Sequence, residues 1–268
     1  MSKTTSGESW TINIKGYLPV DDQMEERMRR LVADIASIPA SALDIDEAAG
    51  VITIDYSQVR DRFEKSRSAL RVVRVGERIV VKPPWEEHEA QAGEIVIEID
   101  PGEAFGSGLH ESTALCLRAI EKCVKAGFSV VDFGAGTGVL AIAAAMLGAS
   151  RVVAIEAREA SATVARANVE RNGLAGRVEV VVADSLEPVD FSADLITANI
   201  IPKTILAHAD ELFVKLASGG ILVASGITEK QSVETARGLA SAGLDIIEEL
   251  VENGWVALVT SKGEMGNG

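Results

Sequence analysis

Cysteine is nearly absent. The 268 residues contain only Cys116 and Cys123, too few for a disulfide framework, which points to a reducing compartment. Aromatic residues make up 4% of the chain, which argues against a cavity walled by stacked rings. No stretch approaches the roughly 20 continuous apolar residues that a membrane span needs. Met1–Ser9 is polar and lacks the apolar centre of a signal peptide. A cytoplasmic protein with no membrane partner is expected. Basic residues are in the minority, 26 Lys and Arg against 40 Asp and Glu, for a formal net charge of −14. So acidic a chain is a poor general binder of nucleic acid, and no direct sequence-specific nucleic-acid binding is expected; a basic partner suits it better. What remains is an ordinary globular composition, 47% hydrophobic and 25% charged. The length suits one large domain or two modest ones.

The hydrophobic pattern divides the chain. Residues 1–75 read as a small α+β unit. Trp10, Ile12 and Ile14 alternate as in a strand, and Met24, Met28, Leu31 and Ile35 repeat at helical spacing. Two short strands follow, Ala42–Ile45 and Val51–Asp55, then a helix over Val59–Leu70 and a strand at Arg71–Val75. The order βαββαβ is that of a ferredoxin-like unit. Residues 76–99 read as a linker that carries two strand-like stretches and the stiff Pro83-Pro84-Trp85 break. From residue 100 to 262, strands and helices alternate, which predicts an α/β domain with a parallel sheet covered on both faces. Only Val251–Gly254 separate the last two strands. So short a link requires them to be antiparallel.

The chemistry concentrates at strand ends. In Ser129-Val-Val-Asp-Phe-Gly-Ala-Gly-Thr-Gly138 an apolar strand runs into Gly134, Gly136 and Gly138 and then into a helix. Such glycines let the backbone turn tightly and approach a ligand, and the helix start adds free N–H groups. An empty tight turn is the plainer alternative. The dinucleotide fingerprint G-x-G-x-x-G fits poorly, because its third small position falls on Val139. Asp132, two residues before the first glycine, would repel a pyrophosphate but can meet an ammonium group, which suits S-adenosylmethionine. Glu156 ends the next strand, where a carboxylate can accept both ribose hydroxyls or simply be solvated. Asp184, at the following strand tip, can face an adenine amino group, or it or Ser185 can cap a helix. Asn199, before Ile200-Ile201-Pro202, can hold the methionine part of the cofactor and orient an incoming amine, or tolerate an irregular backbone angle. No metal is expected.

These segments, with Asp100-Pro-Gly-Glu-Ala-Phe-Gly-Ser-Gly-Leu-His-Glu-Ser-Thr113 and Thr197-Ala-Asn-Ile200, resemble the class I S-adenosylmethionine-dependent methyltransferases. More narrowly they resemble the PrmA family, which methylates lysines of a large-subunit ribosomal protein. The likeness covers about residues 95–262, and Ser107 and Ser112 keep a hydroxyl where that family has Thr. The resemblance implies a Rossmann-like methyltransferase sheet with an antiparallel last strand and an N-terminal domain that grips a protein substrate. It also implies cofactor contacts at Thr113, Gly134, Glu156 and Asn199, and a place for Phe105 in the loop covering the methyl group. His110 matches the family loop but reads as structural, with no carboxylate partner in view. Protein lysine N-methylation, with a basic and ribosomal substrate, is the expected function. The alternatives are a small-molecule N- or C-methyltransferase, a lysine methyltransferase of another protein such as an electron-transfer flavoprotein subunit, and a non-catalytic adaptor. A basic stretch over residues 60–82 reads as the solvated face of an amphipathic helix and its flanks, or as a contact for ribosomal RNA or an acidic substrate face.

Overall fold

The computed structural model describes residues 70–102 and 110–263. The expected ferredoxin-like unit therefore lies outside the described residues up to position 69, as do residues 103–109. The described residues belong to one compact unit that begins at Ser57.

Among the described residues three short strands come first: β1 (Val73–Val75), β2 (Ile79–Lys82) and β3 (Ile95–Glu98). β1 runs antiparallel to β2, and β2 runs parallel to β3. The stretch 76–99 thus supplies two strands whose Ile79, Val81 and Ile97 are buried in the main core. The basic residues here are partly neutralised on the spot. Arg74 pairs with Glu94, Lys82 with Glu98 at 2.8 Å and Arg71 with Glu86 at 3.6 Å.

Helices and strands then alternate as the pattern predicts: α1 (Glu111–Cys123), β4 (Ser129–Phe133), α2 (Val139–Met146), β5 (Arg151–Glu156), α3 (Glu159–Arg171), β6 (Val178–Val182) and β7 (Ala193–Asn199). After β7 come α4 (Pro202–Ala207), α5 (Ala209–Lys215), β8 (Leu216–Thr228), α6 (Glu229–Ser241), β9 (Leu244–Glu252) and β10 (Trp255–Lys262). The seven-stranded sheet has the order β6-β5-β4-β7-β8-β10-β9. β4 through β8 are parallel, and β10 is inserted between β8 and β9, antiparallel to both. Asn253 and Gly254 both have positive φ, 48° and 82°. They form the two-residue hairpin turn whose twist matches the strands it joins.

Side-chain alternation sends successive residues of the central strands to opposite faces. Val130, Val152, Leu195 and Val223 enter one apolar cluster, while Val131, Val153, Ile196 and Leu222 enter the other. Ala141 and Ala143–Ala145 are fully buried in α2, so that helix lies close on the sheet. Strand order reverses between β4 and β7. In such sheets ligands bind beyond the carboxyl ends of the strands on either side of that point.

Candidate active site

A cavity of about 320 Å³ opens at the carboxyl ends of β4, β5 and β7, at the reversal point. Gly134, Gly136, Glu156, Asp184, Asn199 and Thr113 all contribute to its wall.

The glycine turn leaves β4 with three positive φ angles, 81° at Gly134, 57° at Gly136 and 81° at Gly138. L side chains rarely adopt this region. At Gly134 the space is also taken, since a Cβ would come within 2.3 Å of Ile200 Cγ2. The N–H groups of Gly134 and Ala135 both donate to the Ile155 carbonyl, at 2.8 and 2.9 Å, which ties the turn to β5. Gly138 departs from the expectation of a cofactor contact. It is the N-cap of α2 and packs toward Ala165 of α3, off the cavity wall. Its left-handed φ of 81°, rather than a shortage of space, is what favours glycine there.

Glu156 is 8% exposed. Its Oε2 accepts from the Gly136 N–H at 3.0 Å and its Oε1 from the Arg158 N–H at 3.1 Å. The carboxylate is thereby fixed at the cavity wall with lone pairs to spare for hydroxyl donors. Asp184 lies exposed one strand further out. No helix follows it between β6 and β7, so the alternative of a helix cap at Asp184 or Ser185 fails.

Asp132, expected to meet an ammonium group, has both oxygens engaged within the fold. Its side chain is 1% exposed and does not reach the cavity wall. Oδ1 accepts from the Thr197 hydroxyl at 2.7 Å and Oδ2 from the Ala141 N–H at 3.2 Å. Thr197 stands opposite it in the β4–β7 register, two residues before Asn199. Asp132 is therefore a strut that joins β4, β7 and α2. Burial is the main cause that raises its pKa from 3.8 to about 6, with smaller lowering by the two hydrogen bonds and raising by Glu156. Cys116 is fully buried nearby, and burial pushes its thiol up to about 12, which removes it as a nucleophile.

Asn199, at the end of β7, carries the least settled group in the site. Its Nδ2 donates to Thr113 Oγ1 at 3.1 Å. Its Oδ1 is buried and accepts no hydrogen bond from any described residue. An orphaned acceptor of this kind costs about 1–3 kcal/mol unless a ligand supplies the donor. The next residue, Ile200, seals the turn. Its backbone leaves no room for a Cβ at Gly226 (φ 78°), where the Ile200 carbonyl oxygen would lie at 2.5 Å. Thr113 reaches Asn199 from the first turn of α1, which His110 caps by accepting from the Ser112 N–H at 3.2 Å. The His110 ring also sits edge-on to Trp255. Phe105 lies outside the described residues.

Thr197, Ile200 and Gly226 were not singled out from the sequence as site residues. For Gly226 the usable signal is a glycine closely following the apolar run Ile221–Ala224, which marks a close backbone approach.

The site suits a nucleoside sulfonium. A backbone turn open to close approach, a fixed carboxylate at the neighbouring strand tip and an unpaired amide oxygen beyond them match its adenosyl, ribose and amino-acid parts. The donor set, which lacks a Lys or Arg on the turn itself, does not suit a triphosphate.

A family model described as ribosomal protein L11 methyltransferase (PrmA) matches residues 2–263. The ribosomal protein L11 methyltransferase of Pelotomaculum thermopropionicum is 46% identical over 248 residues, which cover 91% of this chain and 78% of that protein. The ribosomal protein L11 methyltransferase of Anoxybacillus flavithermus is 36% identical over 271 residues, 97% of this chain and 86% of its own. The crystal structure of a ribosomal protein L11 methylase from Lactobacillus delbrueckii subsp. bulgaricus is similar at 31% identity with a TM-score of 0.68. It covers 72% of this chain and 100% of that one.

Proposed function

The chain belongs to the ribosomal protein L11 methyltransferase (PrmA) family, and from that premise we propose that it methylates lysine nitrogens of ribosomal protein L11 in the cytoplasm. It is a methyltransferase that uses S-adenosylmethionine. We assign residues 1–75 to substrate recognition and residues 100–262 to methyl transfer. No described helix is long and apolar enough to cross a membrane.

S-adenosylmethionine, when bound, supplies an electrophilic methyl carbon on a sulfonium. The chain's own residues then have three tasks. The Gly134–Gly136 turn and Glu156 hold the nucleoside, with Asp184 toward the base. Thr113 and Asn199 fix the reacting end of the site, where alignment of nucleophile and methyl carbon lowers the barrier. Phe133, Val139 and Leu140 line the cavity with apolar surface and exclude water. A lysine acceptor must be neutral to react, and from a reference pKa of about 10.4 this costs about 4–5 kcal/mol at pH 7. An apolar surround lowers that pKa by disfavouring the ammonium. Asn199 Oδ1 can accept an N–H of the amine and so aim its lone pair. His110 does not serve as base in this reading, because its ring is committed to the α1 cap and to Trp255.

The observation that carries the proposal is the buried Asn199 Oδ1, unpartnered among the described residues, beside Thr113 at the reversal point of the sheet. The test is transfer of labelled methyl from S-adenosylmethionine to purified L11, with the product mapped by mass spectrometry and Asn199→Ala as control. Label on L11 lysines, lost in the variant, is the expected result. Label confined to small molecules, or found instead on an electron-transfer flavoprotein subunit offered in parallel, would overturn the L11 assignment.

A further inference from the structure

Two asparagines one helical turn apart, Asn168 in α3 and Asn172 at its C-cap, treat the chain at β3 as a neighbouring strand would. Asn172 Oδ1 accepts from the Glu98 N–H at 2.9 Å, and its Nδ2 donates to the Glu98 carbonyl at 2.8 Å. Asn168 repeats the pattern two residues on: Oδ1 accepts from the Asp100 N–H at 3.0 Å, and Nδ2 donates to the Asp100 carbonyl at 3.0 Å. A carboxamide carries the donor and acceptor of a peptide group. The repeats also match: four residues of helix rise about 6 Å, and two residues of extended chain advance about 6.6 Å.

The two asparagines are not equivalent. Asn168 is 0% exposed, and its Nδ2 makes another donation, at 3.0 Å, to the Thr137 carbonyl. Thr137 lies between Gly136 and Gly138 in the glycine turn. One carboxamide therefore joins α3, the chain at Asp100 and the turn, while its Oδ1 also accepts from Arg171 at 3.1 Å. The additional donation of Asn172 is local, from the C-cap back to the Asn168 carbonyl of α3 at 2.8 Å. Gly102 strengthens the seating of the chain on α3, since a Cβ there would meet Val164 Cγ2 at 2.9 Å.

We infer that Asn168 is a positioning residue for the cofactor cradle: it sets the Gly136–Gly138 arm of the turn from outside the cavity, without touching the cofactor. Gly136 donates to Glu156, so displacement of this arm also disturbs the ribose carboxylate. The inference rests on the reading of the turn as the S-adenosylmethionine cradle. Asn172, which makes the same clasp without the link to the turn, is its internal control.

The experiment titrates S-adenosylhomocysteine into the full chain by calorimetry for wild type, Asn168→Ala and Asn172→Ala, with thermal melts of each. Both variants melt earlier. Asn168→Ala weakens binding about tenfold and Asn172→Ala by less than about twofold, as expected if one buried hydrogen bond sets the turn. In steady-state transfer, KM for S-adenosylmethionine rises with that Kd while kcat at saturation stays within about twofold. Should Asn168→Ala not fold, Asn168→Asp keeps the acceptor for the Asp100 N–H but loses both donations, and the same loss of affinity is expected. Wild-type affinity in a folded Asn168 variant would overturn the inference alone, as would equal losses in the Asn168 and Asn172 variants. No binding to wild type would overturn the reading of the turn and the inference with it.

Discussion

The β4–β5 tips and the β7 tip face the same cavity but are finished to different degrees. At β4–β5 the chain braces itself. Both oxygens of Glu156 accept backbone N–H groups, the turn N–H groups are tied to Ile155, and Asn168 braces the turn from behind. At β7 the work is left open. Asn199 Oδ1 is buried and unpartnered among the described residues, and Ile201, two residues on, is 64% exposed. A binding cradle gains from rigidity that is present before the ligand arrives, whereas the reacting end needs a group that the acceptor completes. In the function proposed above the contrast divides the labour: β4–β5 would hold the cofactor, and β7 would meet the acceptor.

The strongest way to break the cradle is Gly134→Ala. It forces a side chain to φ near +80° and drives its Cβ into Ile200 Cγ2. Calorimetry with S-adenosylhomocysteine is expected to show a loss of about 100-fold from backbone strain and clash together. Adding Ile200→Ala removes the clashing methyl but not the strain, and about tenfold should return. A smaller effect is expected at Glu156→Ala, which leaves the Gly136 and Arg158 N–H groups without their carboxylate and removes the ribose acceptor. The expected loss of affinity is about tenfold, measured in the same way.

The smallest effect sharpens the role of Asp132. Its folded pKa, about 6, lies above the reference 3.8. Between these values the folded chain binds more protons than the unfolded one, so this group's contribution to stability is full below about pH 4 and falls as pH rises to about 6. Asp132→Asn removes that slope. Melts of both proteins across this range should show the variant's Tm rising relative to wild type as pH increases. A parallel shift at all pH values would mean that Asp132 ionises as freely when folded as when unfolded.

Much of this division was legible in residue order. β4 and β5 begin and end where the apolar runs predict, because three alternate glycines and a terminal acid bound them. Gly134, Gly136, Glu156, Asp184 and Asn199 all reach the cavity, because each closes a strand or opens the turn after it. The hydrogen-bond partners of Asp132 were not legible for a physical reason. β4 is buried on both faces, so alternation does not tell a side chain aimed at the ligand from one aimed into the core, and Thr197 becomes its partner only through the β4–β7 register. β10 was expected to pair with β9, but its insertion between β8 and β9 is a long-range choice that hairpin spacing does not encode. Asn168 and Asn172 look like ordinary polar positions on an exposed helix, and only the folded chain shows a strand edge beside them.

The most direct test of the divided site is Asn199→Ala, with S-adenosylhomocysteine affinity and single-turnover methyl transfer to L11 measured on the same preparation. The account predicts that affinity falls by less than about tenfold while transfer at saturating cofactor falls by about 100-fold or more. Equal losses in both, or transfer that survives in the variant, would contradict it.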